Sequence, residues 1–523
     1  MNIKNRQMYR FLKKKSCAMA VAGLCMAFQA MAQDPSPGTV EYQVSAVGNA
    51  SSGSFAPYFI GSNNYGITPQ KGDALVSAGV FHRLDTTARW GFGYGVELIA
   101  GYGTSNRYSR YDASAGTWRL STAGPASVKV QQLYADVRYR SLFLSVGMKQ
   151  LGNVVSDDRL ASGDFVHSNN ARPVPQVRMG FIDFQDIPFT NGWMQVEGCF
   201  SFGKFMDDSN LEDRYNHYSY HITLGSLYHY KRIMFRTKPS KPFSVTFGME
   251  LAGQFGGTAT YYRDGAVERT EHWSRSLRAF MDMLIPTGTG AESFYRGNSL
   301  GSWDFKARYR LRSGAEVTGY FMWPWEDGSG MAKRNGWDGI WGIQWKSHRP
   351  ALISGAVVEY IDFRNQSGPI HWSPNDAPGT TITTDCSGSD TYYNNSAYNA
   401  YANYGLSLGT PFMLSPLYNL DGFPAYLHNC TNGIHIALEG SLTPSLGYLV
   451  KYSYQHAWGS GRNILSAKSL RDNSAMLQMT YDASATITPG LSVKAMLAID
   501  RGSLRGNNFG ALLSVTYSGM FNL

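Results

Sequence analysis

Three pairs of neighbouring carboxylates, Asp157–Asp158, Asp207–Asp208 and Glu326–Asp327, and three spaced histidines, His217, His221 and His229, are the residue types here that could do chemistry. Glycoside hydrolysis needs two carboxyls about 5–10 Å apart across a sugar. Adjacent residues on a strand point to opposite faces, so Glu326–Asp327 suits a Gly-rich turn (E-D-G-S-G) better than an acid–base pair. The two Asp pairs read as solvated loop acids, and no run supplies the roughly six converging oxygens of a calcium site. The histidines share one parity, but on a strand His217 and His221 stand about 13 Å apart, too far to share a zinc ion. There is no Gly-x-Ser-x-Gly, no phosphate-cradling loop and no Cys/His nucleophile pairing. These residues predict no enzyme, no metal and no cofactor.

The chemistry that is well supplied is binding. Aromatic faces and Arg forks suit sugars, and acidic sugars especially. Arg172, Trp323, Trp325, Tyr392 and Tyr393 are the candidate polysaccharide-binding residues, with Tyr261, Tyr262, Trp273, Tyr295, Tyr398 and Tyr401 in similar aromatic–polar mixtures. Two other readings stay open for such residues: aromatic girdles at a membrane interface, and packing within loops. The first suits Trp337, Trp341 and Trp345, which share one face of an expected strand. The stretch Asn169 to Pro175 (N-N-A-R-P-V-P) is a stiff polar turn, or a loop folded over or into a lumen.

The elements that must position these residues are strands. From Ser302 to Arg312, Trp303, Phe305, Ala307, Tyr309 and Leu311 alternate with Asp304, Lys306, Arg308, Arg310 and Arg312, giving one apolar and one strongly basic face. Pairs of such strands joined by tight turns recur, separated by long polar segments, and no fixed-period repeat is present. The pattern predicts an all-β transmembrane antiparallel barrel of about 18 strands, running from 39–47 to 508–521, with one unbroken strand at 218–236 and another at 303–312. Short turns would be periplasmic. The long segments, including 150–175, 253–302 and 364–431, would be extracellular, and the lumen partly plugged. The apolar faces then look out to lipid. Lys306, Arg308, Arg310 and Arg312 form a luminal basic ladder that pairs with acids such as Glu316 or lines an anion path.

Residues 1–32 read as a cleaved signal peptide: six cations by Lys15, a small apolar run, then Ala30-Met31-Ala32. Residues 33–523 form one barrel domain. Removing the signal leaves 41 basic against 38 acidic residues, net +3, which argues against a nucleic-acid partner. Of the remaining cysteines, Cys199 reads as a small buried thiol, and Cys386 and Cys430 share one long loop that a disulfide could close.

Several motifs, taken together, carry a resemblance. S-V-G-M-K-Q-L-G (145–152), L-A-S-G-D-F-V-H-S-N-N-A-R-P-V-P-Q-V (160–177), I-P-F-T-N-G-W-M-Q-V-E-G-C-F-S-F-G-K (187–204), G-N-S-L-G-S-W-D (297–304), W-D-G-I-W-G (337–342), D-T-Y-Y-N-N (390–395) and Y-G-L-S-L-G-T-P (404–411) resemble the Wzi-type capsule assembly proteins of the Bacteroidetes-like branch. The resemblance implies an eighteen-stranded outer-membrane barrel acting as a lectin that helps attach capsular or other surface polysaccharide, inserted into outer-membrane lipid by the barrel-assembly machinery. The stretch Tyr398-Asn399-Ala400-Tyr401 departs from the pattern by lacking a Trp, and 412–430 is idiosyncratic. The rival expectation is a porin-like channel whose basic lumen passes anionic solutes.

Overall fold

A computed structural model describes residues 39–285, 297–326, 328–331, 333–367, 371–372, 386–387, 390–460, 463–464 and 469–522. The expected signal segment, Asp327, Tyr295 and the side chain of Cys386 lie outside the described residues.

Eighteen strands form one closed antiparallel barrel. In chain order they are β1 (Thr39–Ser52), β2 (Gly72–His82), β3 (Trp90–Gly103), β4 (Val128–Tyr139), β5 (Leu142–Met148), β6 (Gln176–Phe181), β7 (Met194–Lys204), β8 (Leu227–Thr237) and β9 (Phe243–Phe255). There follow β10 (Asn298–Arg310), β11 (Glu316–Trp325), β12 (Gly339–Lys346), β13 (Gly355–Asp362), β14 (Thr431–Thr443), β15 (Leu446–Ala457), β16 (Leu470–Asp482), β17 (Leu491–Gly502) and β18 (Asn508–Asn522). Each pairs with its chain neighbour. β1 closes the ring on β18, from Thr39 opposite Asn522 to Ser52 opposite Phe509, so no long edge is left open. Even strand number puts both chain ends at the short-turn end. The long loops gather at the other.

Alternation decides which face looks out. Val76, Val80, Phe92, Val96, Leu133, Leu144, Val177, Ile233, Phe305, Ile343, Val358, Ile436, Val450, Leu477, Leu497 and Val515 are all exposed on the outer wall. A continuous apolar band of that kind is stable only against lipid. Aromatics mark its margins. Trp90 packs on Tyr139 (centroids 4.6 Å apart) near the short turns, and Trp341 packs on Phe321 and Trp337 near the long loops, as the girdle reading expects.

The inward faces meet a packed interior rather than a pore. Three loops fold into the barrel: 53–71, which carries helix α1 (Tyr58–Gly61), 149–175, and the described part of 363–430. Their Phe59, Ile60, Leu160, Phe165, Val166, Tyr392, Tyr393, Tyr401, Leu408, Phe412 and Tyr426 form one core with Tyr228, Tyr230, Tyr320, Met322, Ile340, Val357 and Ile361 of the wall. The loops are tied to one another through backbone: Ser168 N–H donates to Leu408 O (2.9 Å), Tyr65 N–H to Asn169 O (2.7 Å), and Tyr401 Oη to Val166 O (2.9 Å). This is the expected plug.

Two stretches depart most from the predicted strands. The single strand expected at 218–236 is two elements. Residues His221–Leu224 join the hairpin Gly257–Arg263/Ala266–Trp273 in a small sheet, and β8 begins only at Leu227. Gly225 makes the break, with φ +68°, a conformation that a side chain would strain. The three histidines therefore part: His217 stacks on Tyr262, His221 bonds the carbonyl of Tyr398 (2.8 Å), and His229 bonds that of Ser201 (2.9 Å). The second stretch is a helix at Leu277–Leu284 (α3, counting Asp208–Arg214 as α2), within the 253–302 segment where the sequence pattern predicts an extracellular loop. It lies against the outer wall, burying Ala279 and Met283 with Phe255 and Phe202. Lys231, which points outward on β8, donates to the helix's last carbonyls, Met283 O (3.0 Å) and Leu284 O (2.7 Å). A cation is thus removed from the apolar wall by the C-terminal end of a helix dipole.

Candidate functional site

The interior divides at mid-height. In the long-loop half, the wall's polar side chains are spent on plug backbone. Glu359 accepts from Ser162 N–H (2.8 Å) and Tyr320 Oη (2.6 Å), and His435 bridges Leu160 O and Ser453 Oγ (2.7 Å each). Gln455 donates to Phe412 O (2.5 Å), and Asp500 accepts from Tyr58 N–H (3.1 Å). Buried polar groups cost heavily unless paired, and here the pairs fix each loop in place.

The aromatic residues that the sequence singled out belong to this plug and its rim. Tyr392 and Tyr393 are fully buried. Tyr392 Oη donates to Asp338 (3.0 Å) and accepts from Asn335 (3.0 Å), and Tyr393 Oη donates to Phe165 O. Trp325 is buried as well. Tyr392 and Tyr393 belong to the plug core and Trp325 ends strand β11; all three rings are enclosed and offer no open face for a sugar. Trp323 is half-buried under Lys333 (4.4 Å to its centroid), its Nε1 donating to Asn335 (2.8 Å). Arg172 donates to Val130 O (2.5 Å) and lies over Tyr404, pinning the N-N-A-R-P-V-P turn inside the lumen. Glu326 accepts from Tyr393 N–H (2.6 Å), a backbone donor as its turn predicts.

Burial raises the carboxyls of Asp207 and Asp338 to about 6, against the backbone N–H groups each accepts from. Burial and the guanidinium of Arg178 hold the His167 ring neutral, its pKa near 4. Cys199 is buried, as expected. Burial lifts the Cys430 thiol to about 11, and its Sγ reaches Arg364 O (3.7 Å).

Exposed aromatic surface sits above the barrel, on a patch the sequence reading caught only in part. Hairpin Asn106–Asp112/Thr117–Ala123 brings Tyr111 and Trp118 against Tyr218, with centroids 4.8–5.5 Å apart. Trp118 is 47% exposed. Arg119 stands at its edge on Asp112 (3.1 Å), and Arg110 donates to Asp213 O (3.1 Å). Next to it Arg269 covers Tyr261 at 3.7 Å, and Tyr220 packs on Phe423. The signal was present in Y-S-R-Y-D and T-W-R-L, strand-alternating aromatics and arginines in a segment too polar to face lipid.

The basic ladder lies in the short-turn half. Lys306 donates to Val155 O of the plug (2.9 Å), and Arg308 (3.4 Å) and Arg310 (3.0 Å) share Glu316, the acid expected for them. β10 ends at Arg310, so Arg312 sits in the turn outside the ladder. With Arg232, Arg236, Lys346 and the acids Asp157, Asp183, Glu197 and Asp304, this half surrounds a cavity of about 590 Å³ whose roof is plug residues Asn153–Asp157.

Together these features define an outer-membrane-type barrel with a blocked lumen and an aromatic–arginine cap. No protein-family model matches the sequence, and no curated protein matches it. Among solved structures the chain is similar to Escherichia coli Wzi, an outer-membrane protein involved in group 1 capsule assembly and a carbohydrate-binding β-barrel. Identity is 12%, 91% of this chain and 83% of that one are covered, and the TM-score is 0.53. It is similar also to Acinetobacter baumannii OccAB2 (11% identity, 92% and 98% covered, TM-score 0.45) and Pseudomonas aeruginosa OprD (10%, 94% and 98%, 0.43). At these identities the likeness establishes the outer-membrane barrel fold.

Proposed function

We propose that this chain is a Wzi-type, non-enzymatic outer-membrane barrel that binds capsular or other surface polysaccharide and holds it at the cell surface. The blocked lumen carries this reading: a barrel whose three inward loops are bonded to its wall and to each other is built to hold rather than to pass. The cap of Tyr111, Trp118 and Tyr218 with flanking arginines supplies the sugar-facing surface, in place of the buried Tyr392, Tyr393 and Trp325. In this reading the long loops are extracellular, the chain ends periplasmic, and residues 1–32 a removed signal.

The test is a deletion strain stained for surface glycan. Loss of retained capsule, restored by the wild-type chain, supports the reading; normal capsule overturns it. Purified protein should bind the host's glycan, and Trp118→Ala should weaken that binding about tenfold, roughly 1.4 kcal/mol. The basic short-turn cavity favours the second reading, a channel for anionic solutes, which requires steady conductance.

A further inference from the structure

Behind the large cavity is a smaller one of about 240 Å³ that shares two of its lining residues, Asn153 and Arg232. Its remaining lining is Leu151, Gly152, His167, Gln176, Arg178, Tyr228 and Tyr230. Two guanidiniums, two amides, an imidazole and two phenols line it, and no carboxylate does. Arg232 is engaged by Glu197 through Nε (3.1 Å) and Nη2 (2.6 Å), on the side of the larger cavity. Arg178 makes no ion pair among the described residues. Its hydrogen bond runs from Nη2 to the Cys199 thiol (3.1 Å), a weak acceptor, and its Cζ stands over the rings of Phe143 (5.6 Å) and Tyr230 (5.9 Å).

The pocket also gathers polar atoms without partners. Arg178 Nε, Tyr230 Oη, Asn153 Oδ1 and His167 Nε2 are all buried and unbonded. Tyr230, on the wall of this pocket, is only 4% exposed. A guanidinium set inside a protein without an anion is costly, and two unpaired donors beside one cavity, Arg178 Nε–H and the Tyr230 hydroxyl, call for an acceptor. Arg is the side chain suited to clasp a planar carboxylate or a phosphate. The volume lies below the ~300–1,000 Å³ of sites for drug-sized ligands, which fits one charged sugar residue or an oxyanion head.

We propose that this pocket is a binding site for an oxyanion, the carboxylate of an acidic sugar or a phosphate, which enters through the larger cavity from the short-turn end and is clasped by Arg178. The plug closes the far side, so the site is a dead end. The inference goes beyond glycan retention and does not depend on it: it is tested on isolated protein, whatever the capsule phenotype.

The experiment is calorimetric titration of the detergent-solubilised full chain with glucuronate, inorganic phosphate and glucose. Glucuronate or phosphate should bind at least tenfold tighter than glucose, and the tighter of the two names the source of the oxyanion. Arg178→Gln should weaken that anion at least tenfold while Arg349→Gln, an exposed control, leaves it unchanged. Folding of each variant is read from its heat-modifiable migration. Should Arg178→Gln not fold, Asn153→Asp sets a carboxylate in the same pocket and should abolish anion binding with the barrel intact. Equal affinity for glucose, no binding of either anion, or unchanged affinity in Arg178→Gln or Asn153→Asp would overturn the proposal.

Discussion

The two halves of the lumen have walls of the same kind, inward polar residues on alternating strand positions, yet they use them in opposite ways. Toward the long loops, Glu359, His435, Gln455 and Asp500 each meet a backbone group of an inward loop. Toward the short turns, Lys306 still reaches plug backbone at Val155 O (2.9 Å), but Thr318 and Gln344 line open space, Arg236 is held by Gln195 of the wall (2.7 Å), and Arg308 and Arg310 share one acid. The first arrangement leaves no water to replace a broken bond, so each contact is expensive to lose. The second is hydrated, so each charge pair is worth little. The difference teaches where binding can happen. A ligand cannot displace the plug without orphaning many groups, but it can enter the hydrated half and can settle on the loop cap.

That contrast can be broken most severely at Tyr393. Its ring packs against Phe165, Tyr401 and Tyr426 and its hydroxyl bonds Phe165 O, so Tyr393→Ala should cost ~3–5 kcal/mol of plug stability. Bursts of conductance in planar bilayers, absent from the wild type, would report it. Glu359→Ala comes next. Two buried donors lose their acceptor at ~1–3 kcal/mol each, and amides around Ser162 should exchange faster while the barrel strands stay protected.

The third test is pH. The folded pKa values of Asp207 and Asp338, about 6, lie above the ~3.9 of an unfolded Asp. The folded state therefore binds more protons between these values. The stability they contribute is complete below pH ~4, falls as pH rises through 6, and is level above. Loop amide exchange near Asp338 and Tyr404 should accelerate from pH 5 to pH 7 after correction for intrinsic rates; Asp338→Asn should flatten the change near Asp338. The smallest effect belongs to the hydrated half. Arg308→Gln with Arg310→Gln should lower the unfolding free energy by about 1 kcal/mol or less, read by urea titration.

The barrel was legible because a lipid-facing strand must alternate, and alternation leaves a period of two in the sequence. The charge ladder followed from the same period, down to the partner Glu316. Arg312 was miscounted because the alternation runs on through a turn that no longer belongs to the strand. The break at Gly225 was hidden for a similar reason: His217, His221 and His229 keep parity across a residue that ends one sheet and starts another. Helix α3 did leave a signal. Ser276 caps it, with its Oγ accepting from Ala279 N–H (3.4 Å), and Leu277, Phe280, Met281 and Leu284 repeat at helical spacing. The candidate binding residues were the least legible. Tyr392 and Tyr393 are adjacent and both buried, which neither strand nor helix periodicity would assign, since the plug encloses them from all sides. In the same way, Arg178 is an ordinary inward strand residue until His167 and Asn153, on the loop that leads into its strand, close a pocket around it.

The plug is what blocks the lumen, and conductance tests that blockage most directly. Full-length protein reconstituted in planar bilayers should show a silent baseline under applied voltage, with insertion verified independently by protease protection. A steady open conductance from correctly folded wild-type protein would contradict it.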